Sequence, residues 1–511
     1  MKKQNITQLL AFSLVILSLI IASCQQLNEN PLASINSVTY YNTENDLITA
    51  CAGNFYPLVK GWSGLDQTNG YCVAYGGDDV TSLSKLGTGS TGNKDKYSQF
   101  DVMNAPATNS AISSAWNPLW GAIRQSNDII ANYNNVTGLS QADKDKYAAI
   151  AYFVRGFSYF YLARTWGDVP IITKNLSPGT PAPRDPVAKV YDQIVSDLLW
   201  AEKNLPLKSV WGSKYYGFPS KGACQSILAK VYLTMAGYPL KKGASYYALA
   251  ANIASKVIQS NQYDLWANYG DAFKIANNNG KESVFALQFS IASGMGNNMY
   301  GISAMPGEEN GWDDYMSELA FYKNYPESPR KRDCFYDTIW VTRNNIRVRV
   351  PYDQTLTPRP YFKKFREGGF VNPQQPWVGT TTGGNHVQDL VRYSDVLLVF
   401  AEGRAKGLGT PNDSAYWAVN KVRTRAGLPN LVGLSADNFN KAVVDERAWE
   451  LAGEFHRWYD MTRLEMVEQV VAARDPKEDP IQSKNIRNSY LAPIPSYDML
   501  LNPQWTQNPG Y

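Results

Sequence analysis

Apolar positions recur by threes and fours over two long stretches of this chain, and a short segment between them alternates by twos. In the first stretch, residues 111–134 carry Ile112, Ala115, Trp116, Leu119, Trp120, Ile123 and Ile130 at helical spacing. Ser140 stands at an N-cap position before a second helix, which stops at Gly167-Asp168-Val169-Pro170. Arg184-Asp185-Pro186 opens a third, which ends before Leu205-Pro206. Two more follow at 219–236 and 245–260, on either side of Gly237-Tyr238-Pro239. Helical spacing returns at 389–406, 412–426, 436–453 and 454–473. Successive helices joined by short turns predict stacked helical hairpins of the tetratricopeptide kind, although no strict repeat of roughly 34 residues survives.

Between these blocks the pattern breaks. Glu282–Gln288 alternates like a strand, but the rest of 262–388 is rich in Gly, Asn and Pro, as at 294–298 and 373–384. A second irregular insert spans residues 60–109. Loops of this length within a compact protein are usually functional or disordered. The predicted fold is therefore mainly α: a superhelical frame of helical hairpins carrying two large loop inserts. Its parts are an N-terminal helical block at 111–260, the insert at 262–388, and a C-terminal helical block with an irregular tail at 389–511.

The N-terminus follows a different logic. Lys2 and Lys3 precede an apolar run from Leu9 to Ile21, which leads into Ile21-Ala22-Ser23-Cys24. A cationic start, an apolar run and a small-residue cleavage site read as a secretory signal over residues 1–23. The run falls short of the roughly 20 residues a spanning helix needs. Its last four residues look like a bacterial lipobox, in which Cys24 is acylated and becomes the new N-terminus. An ordinary signal peptide that happens to contain a cysteine is the alternative. Gln25–Pro31 reads as a polar tether, so that residues 24–31 form a lipidated leash.

Composition narrows the function. Lys2 and Lys3 are the only charges in residues 1–23, so their loss takes the formal net charge from +4 to +2. With no basic block, nucleic acid is not an expected partner. Cys51, Cys72, Cys224 and Cys334 show no CxxC spacing, which argues against zinc. Cys224 reads as a buried helical thiol, and pairing of Cys51 with Cys72 stays open. The chain has 33 Tyr and 14 Trp against 2 His, a balance that disfavours His-dependent chemistry and suits ring stacking on sugars. Core packing nevertheless accounts for most of these rings. Nucleotide-binding, nucleophile-elbow and HExxH signatures are absent.

Charged residues inside apolar helices read first as buried ion pairs. Arg155 is one case; Arg392, Arg423 and Arg425 are others, with Asp389, Asp395 and Glu402 on neighbouring turns. The densest cluster runs from Asp445 to Arg463. There Glu446, Glu450 and Glu454 fall at i, i+4 and i+8, on one helix face. Two of them, Glu450 and Glu454, offer a glycosidase dyad. The alternative is an internal salt-bridge network, whose arginines would keep both carboxylates ionised and remove the proton donor.

Taken in order, these segments resemble one family. Trp116-Asn-Pro-Leu-Trp120 through Asn127, Val154-Arg155 with Gly167-Asp168-Val169-Pro170, and Arg392-Tyr-Ser-Asp395 through Glu402 resemble motifs of the SusD/RagB outer-membrane lipoproteins. So do Val419-Asn420 through Pro429, Glu446-Arg447 through Arg463, Pro493-Ile-Pro495, and Gln507 through Tyr511. The resemblance covers the mature chain from Cys24 to Tyr511 and implies a single SusD-like domain, 24–511. It further implies a non-enzymatic, cofactor-free protein, lipid-anchored at the outer membrane and exposed on the cell surface. Such proteins capture glycans and cap a TonB-dependent SusC-like transporter; a lid subunit importing peptides or another non-sugar nutrient is the alternative within the same architecture. The quoted motifs then read as scaffold, and ligand binding is expected on the inserts. Candidates are Trp62, Tyr71, Tyr75, Asp78 and Asp79 on the first, and Tyr300, Trp312, Asp313, Asp314 and Tyr315 on the second. Rings would stack on sugar faces and carboxylates would accept from vicinal hydroxyls. Calcium held by the Asp pairs is a further alternative.

Overall fold

Nine helices, α1 to α9, carry the frame of the computed structural model, which describes residues 40–60, 65, 68–83, 95–177, 179–298, 302–366 and 384–511. They are α1 (Glu44–Gly53), α2 (Ser110–Asn132), α3 (Gln141–Trp166), α4 (Val187–Asn204), α5 (Lys221–Ala236), α6 (Ala244–Gln259), α7 (Tyr393–Leu408), α8 (Asp413–Arg425) and α9 (Ala436–Glu450). Each N-terminus that the sequence marks with a capping residue is capped. Ser140 accepts from Asp143 N at 3.1 Å and Ser220 from Ala223 N at 3.2 Å. Asn412 accepts from Ala415 N at 3.1 Å and Ser435 from Asn438 N at 3.3 Å. Each such bond satisfies an N–H that the helix leaves unpaired. The signal, the tether and Cys24 lie outside the described residues, as do Trp62 and Tyr300. No helix among the described residues is long and apolar enough to cross a membrane.

Neighbours in the chain are neighbours in space: α2 packs on α3, α3 on α4, α4 on α5 and α5 on α6. The run then skips the whole central insert, because α6 packs directly on α7, which in turn meets α8 and α9. Glycine makes this last joint possible. A Cβ on Gly403 would stand 2.7 Å from Tyr247 O, and one on Gly407 would stand 2.9 Å from Ala248 N. With Ala248 and Ala251 opposite, the two helices approach to backbone contact. Gly403→Ala is therefore expected to destabilise the fold by ~1–3 kcal/mol through overpacking. An unchanged urea midpoint would show that the joint can spread at no cost.

Strands are few. β1 (Ser283–Leu287) pairs antiparallel with β6 (Gln388–Arg392), Leu287 opposite Gln388 and Ser283 opposite Arg392, with bulges between. β2 (Phe335–Tyr336) pairs with β5 (Tyr361–Phe362), and β3 (Thr338–Arg343) with β4 (Ile346–Pro351) in a tight hairpin. Expected helix at 389–392 is thus strand, because β1 supplies those residues with a ladder partner from the insert.

Charged side chains fill much of the core beneath α7 and α9. Arg392, 1 % exposed, donates to Glu282 at 2.7 Å, to Glu450 at 2.8 Å and to Glu454 at 2.7 and 2.9 Å. Arg425 bonds Glu282 and Glu450, Arg330 bonds Glu446 and Glu450, and Arg423 bonds Glu446. The partners expected for these arginines go elsewhere. Asp395 pairs with Lys230 and Arg447, Glu402 with Arg463 and Lys406, and Asp389 accepts from Ser283. Arg155 does form the expected pair, a fork to Asp197 at 2.7 and 2.8 Å. Glu454 is not on the helix of Glu446 and Glu450. α9 stops at Glu450, and Gly453 turns the chain with φ +72° where a Cβ would meet the Phe362 ring at 2.7 Å.

Candidate functional site

The turn after α9 is where the two inserts come together. Phe455, itself at φ +58°, projects its ring among three aromatics that the sequence marks as site candidates. Tyr71 stacks on it at 4.9 Å and 13°, Tyr75 lies tilted at 5.9 Å, and Tyr315 tilted at 5.3 Å. All three are buried, at 3 % exposure or less. Tyr75 also stacks on Tyr97 and donates its hydroxyl to Asp314 O at 3.2 Å, which ties the first insert to the second. Thr81 and Met316 add a two-way backbone bridge, with N···O distances of 2.9 and 3.1 Å.

The carboxylates at this junction are engaged as well. Asp79 accepts from Gly453 N at 2.8 Å, and burial, then the neighbouring Asp78 charge, pushes its pKa up to about 7. Asp313, at φ +52°, accepts from Gly307 N at 2.7 Å and from the Tyr361 hydroxyl. Asp314 is buried too. Asp78 is half-buried and forms a fork with Arg457 at 2.6 and 3.1 Å. Among the described residues no group of three or more His, Cys, Asp or Glu is placed to hold a metal ion. Trp312 is half-buried. Tyr71, Tyr75, Asp79, Asp314 and Tyr315 are therefore gathered around this junction, while Asp78 and Trp312 keep partial access to solvent. The buried members hold the inserts to each other and to the turn after α9.

A cleft of about 570 Å³ opens beside this junction, between α9, the short helix Leu319–Asn324 and the segment after Arg457. Its size falls within the roughly 300–1,000 Å³ usual for small-ligand sites. Asp78 and Arg457 form part of its wall, with Phe321, Asn324, Asn440 and Trp449. Trp449 is half-buried, and its backbone carbonyl accepts from Tyr325 OH at 2.7 Å. Two polar atoms in this wall are shielded from solvent and find no hydrogen-bond partner among the described residues: Asn440 Oδ1 and Arg457 Nη1. Such atoms are costly to leave unpaired, but without accessible surface they are not themselves open to a ligand. A ligand with hydroxyls and a flat apolar face for Trp449 suits the mixed polar and apolar wall of the cleft. A second cleft of about 750 Å³ is lined by Asp271, Lys274, Lys364 and Arg366, but these are already paired, with Lys364 on Glu454, Arg366 on Glu309 and Lys274 on Asp271.

Trp449, Asn440 and Phe321 lie outside the sequence-derived candidates. Trp449 sits inside the charged motif Glu446–Arg463, next to Glu450. Because Glu446 and Glu450 face inward, the helical period turns Trp449 toward the edge of that face, a signal present in the spacing itself.

Glu450 and Glu454 do not form a glycosidase dyad. Both are buried, and neither belongs to the wall of either cleft. Burial opposes ionisation of Glu450, yet Arg425, Arg392 and Arg330 outweigh it and hold the carboxyl well below the usual range. Arg392 and Lys364 likewise outweigh burial at Glu454. Neither carboxyl has a proton to give. Cys51 and Cys72 are separate, buried free thiols rather than a disulfide, and Cys224 is buried on α5 as expected.

A seam of carboxylates locks the junction from the other side. Thr81 Oγ1 lies 3.2 Å from Asp101 Oδ2 and 3.3 Å from Glu478 Oε2, Arg359 grips Glu478, and Arg474 bridges Asp101 and Glu318. Burial raises Asp101 to about 7. A carboxyl raised in the folded state contributes stability that is fully present below about pH 4 and is lost as pH climbs through 7. His456, lowered to about 3 by burial, slopes the other way between 3 and its ordinary value. The test is therefore a difference: Asp101→Asn is expected to make the unfolding free energy fall less steeply than in wild type between pH 4 and 7. Parallel urea-midpoint curves would contradict it.

Comparison with known proteins places these features. A family model described as the SusD family matches residues 352–511, and one described as starch-binding associating with outer membrane matches residues 62–233. SusD-like protein P2 of Formosa agariphila is 26 % identical, with all of both chains covered. A SusD superfamily protein from Parabacteroides distasonis has the same fold, with a TM-score of 0.76 and 25 % identity over 94 % of this chain and 100 % of that one. Surface glycan-binding protein A from Bacteroides uniformis shares the fold at a TM-score of 0.74 and 20 % identity, covering 91 % and 99 %.

Proposed function

This chain belongs to the SusD family, and from that premise we propose that it is a glycan-binding lipoprotein of the outer membrane, anchored through Cys24 and exposed on the cell surface. It captures an oligo- or polysaccharide without transforming it and delivers it to a TonB-dependent SusC-like transporter. The observation that carries the reading is the cleft beside the insert junction, walled by the half-buried Trp449 together with Asn440, Asp78 and Arg457. A pyranose supplies hydroxyls for the polar part of such a wall and the flat C–H face that suits an indole. Asp78, already paired to Arg457, and Trp312 contact the glycan from the two inserts. Tyr71, Tyr75, Asp79, Asp313, Asp314 and Tyr315 hold those inserts in place.

The test is isothermal titration of residues 24–511 against neutral and acidic polysaccharides of plant, host and microbial origin. Binding to at least one, with no reducing ends released on prolonged incubation, is the expected result. Binding to peptides alone would turn the reading toward a non-sugar nutrient, and release of reducing ends would make the protein an enzyme. Protease shaving of intact cells tests exposure, and full protection counts against it. Co-purification of a TonB-dependent transporter with a tagged chain tests the partnership.

A further inference from the structure

The second cleft, of about 750 Å³, shares no wall residue with the cleft of Trp449. Its buried and exposed walls differ in character. Lys364 and Arg366 are buried and matched to Glu454 and Glu309. The exposed wall carries three further cations, Lys274, Arg332 and Lys363, against two carboxylates, Asp271 and Asp333.

Chain elements far apart in sequence build that wall. Ser328 caps the short helix Pro329–Cys334 by accepting from Lys331 N at 3.2 Å, and Pro329 suits its first turn. β2 follows at once and pairs antiparallel with β5, Phe335 opposite Phe362. The residues just before Phe335 therefore lie beside those just after Phe362. Lys363 Nζ accordingly donates to Arg332 O at 3.0 Å. The turn Tyr269–Phe273 closes the third side. Its Gly270 N donates to Asp333 Oδ2 at 3.1 Å, and a Cβ on Gly270 would stand 3.1 Å from the same oxygen.

An inventory of donors and acceptors then points to a ligand. Both carboxylates are engaged: Asp271 by Lys274 and by Asn268 Nδ2 at 3.1 Å, Asp333 by Gly270 N. Arg332 is exposed, and its guanidinium makes no hydrogen bond or ion pair among the described residues. Lys363 is half-buried, has no carboxylate partner there, and keeps the donors not used on Arg332 O. The accessible wall thus offers a whole guanidinium fork and an ammonium beside it. A group rich in acceptor oxygens and negatively charged matches such a pair.

We propose that the second cleft is a separate site for an acidic group of the glycan, a sulfate ester or a uronic carboxylate. The Arg332 fork grips it, and the Lys363 ammonium supports it. The proposal rests on the glycan-binding reading and adds a second point of attachment that prefers acidic chains.

The test is made in Trp449→Ala, so that the first cleft contributes little. This variant of the mature chain is titrated with neutral, sulfated and uronate-bearing oligosaccharides of one backbone. At low salt at least one acidic form is expected to bind about tenfold tighter than the neutral one, the scale of one charge-assisted hydrogen bond. The advantage should fall as salt rises. Adding Arg332→Gln and Lys363→Gln together should erase it, with an unchanged circular-dichroism spectrum showing the fold intact. Equal affinity for all three chains, or an advantage that survives the double substitution, overturns the site. So does binding to anionic phospholipid vesicles that depends on Arg332 and Lys363 without any preference among the oligosaccharides. Inorganic sulfate distinguishes failure here from failure of glycan binding as a whole. At equal ionic strength it should raise the melting temperature of wild type more than that of Arg332→Gln/Lys363→Gln, even if no glycan in the panel binds. Equal shifts overturn the site on their own.

Discussion

Arg392→Met is expected to cost ~3–5 kcal/mol of folding stability, the usual penalty when one partner of a buried charge cluster is removed and the others stay. Its guanidinium is the point at which three segments meet: Glu282 ahead of β1, Glu450 at the end of α9 and Glu454 beyond the Gly453 turn. It also donates to Glu450 O at 2.9 Å and to Ser394 Oγ at 2.8 Å, and among the described residues no other side chain is bonded to all of these. After substitution Glu450 keeps Arg330 and Arg425, Glu282 keeps Arg425, and Glu454 keeps only Lys364. Glu454 should therefore carry most of the loss. A second change, Glu454→Gln, made in the Arg392→Met background, should return part of it, and the double-mutant cycle measures the coupling. Urea unfolding followed by tryptophan fluorescence gives the numbers. A loss under about 1 kcal/mol for Arg392→Met would mean that the remaining cations redistribute without penalty, contrary to the cost of an uncompensated buried charge.

Trp449→Ala is expected to weaken glycan binding ~10–30-fold, the scale of a central aromatic anchor in an interface. The indole is half-buried at the cleft wall, so part of its surface is free to lose water when a sugar stacks on it. Its backbone carbonyl accepts a hydrogen bond from the Tyr325 hydroxyl, which truncation leaves in place. The loss should thus appear in affinity while the melting temperature changes little. Titration of wild type and variant against the tightest glycan in the panel, beside a thermal melt of each, separates the two effects. Unchanged affinity would move the binding site elsewhere, and Trp312→Ala is the next measurement.

Most of the helical frame is readable because its helices show apolar spacing, and several add a capping residue such as Ser140, Ser220 or Ser435. What escaped depended on partners far along the chain. Gln388–Arg392 reads as the start of a helix until β1 is there to pair with it. Glu454 reads as one more turn of α9 until the Phe362 ring shows why Gly453 must leave the helix. The β3–β4 hairpin had its own local signal, Ile339, Val341, Val348 and Val350 alternating around Asn344-Asn345, which is easily overlooked inside an insert dominated by Gly and Pro. The insert rings illustrate a different difficulty. Composition marks Tyr71, Tyr75 and Tyr315 as unusual for loops, and they are unusual because the two loops form a miniature core around Phe455. Trp449 escaped for the converse reason, since a ring inside a charged scaffold motif attracts no notice until its neighbours face away from it.

The close joint between α6 and α7 has a consequence for how such a protein can diverge. Everything from residue 260 to 392 leaves the frame at one helix and re-enters at its immediate neighbour, so the excursion is a loop whose two ends are already clamped. Doubling the length of a flexible closed loop costs only about 0.6 kcal/mol of closure entropy. Lengthening or shortening the loops within the segment is therefore cheap for the scaffold so long as Gly403 and Gly407 keep the clamp shut and Glu282, Arg330 and Lys364 stay in the buried ion network. Selection can thus vary the loops of this segment while the hairpin stack is inherited unchanged.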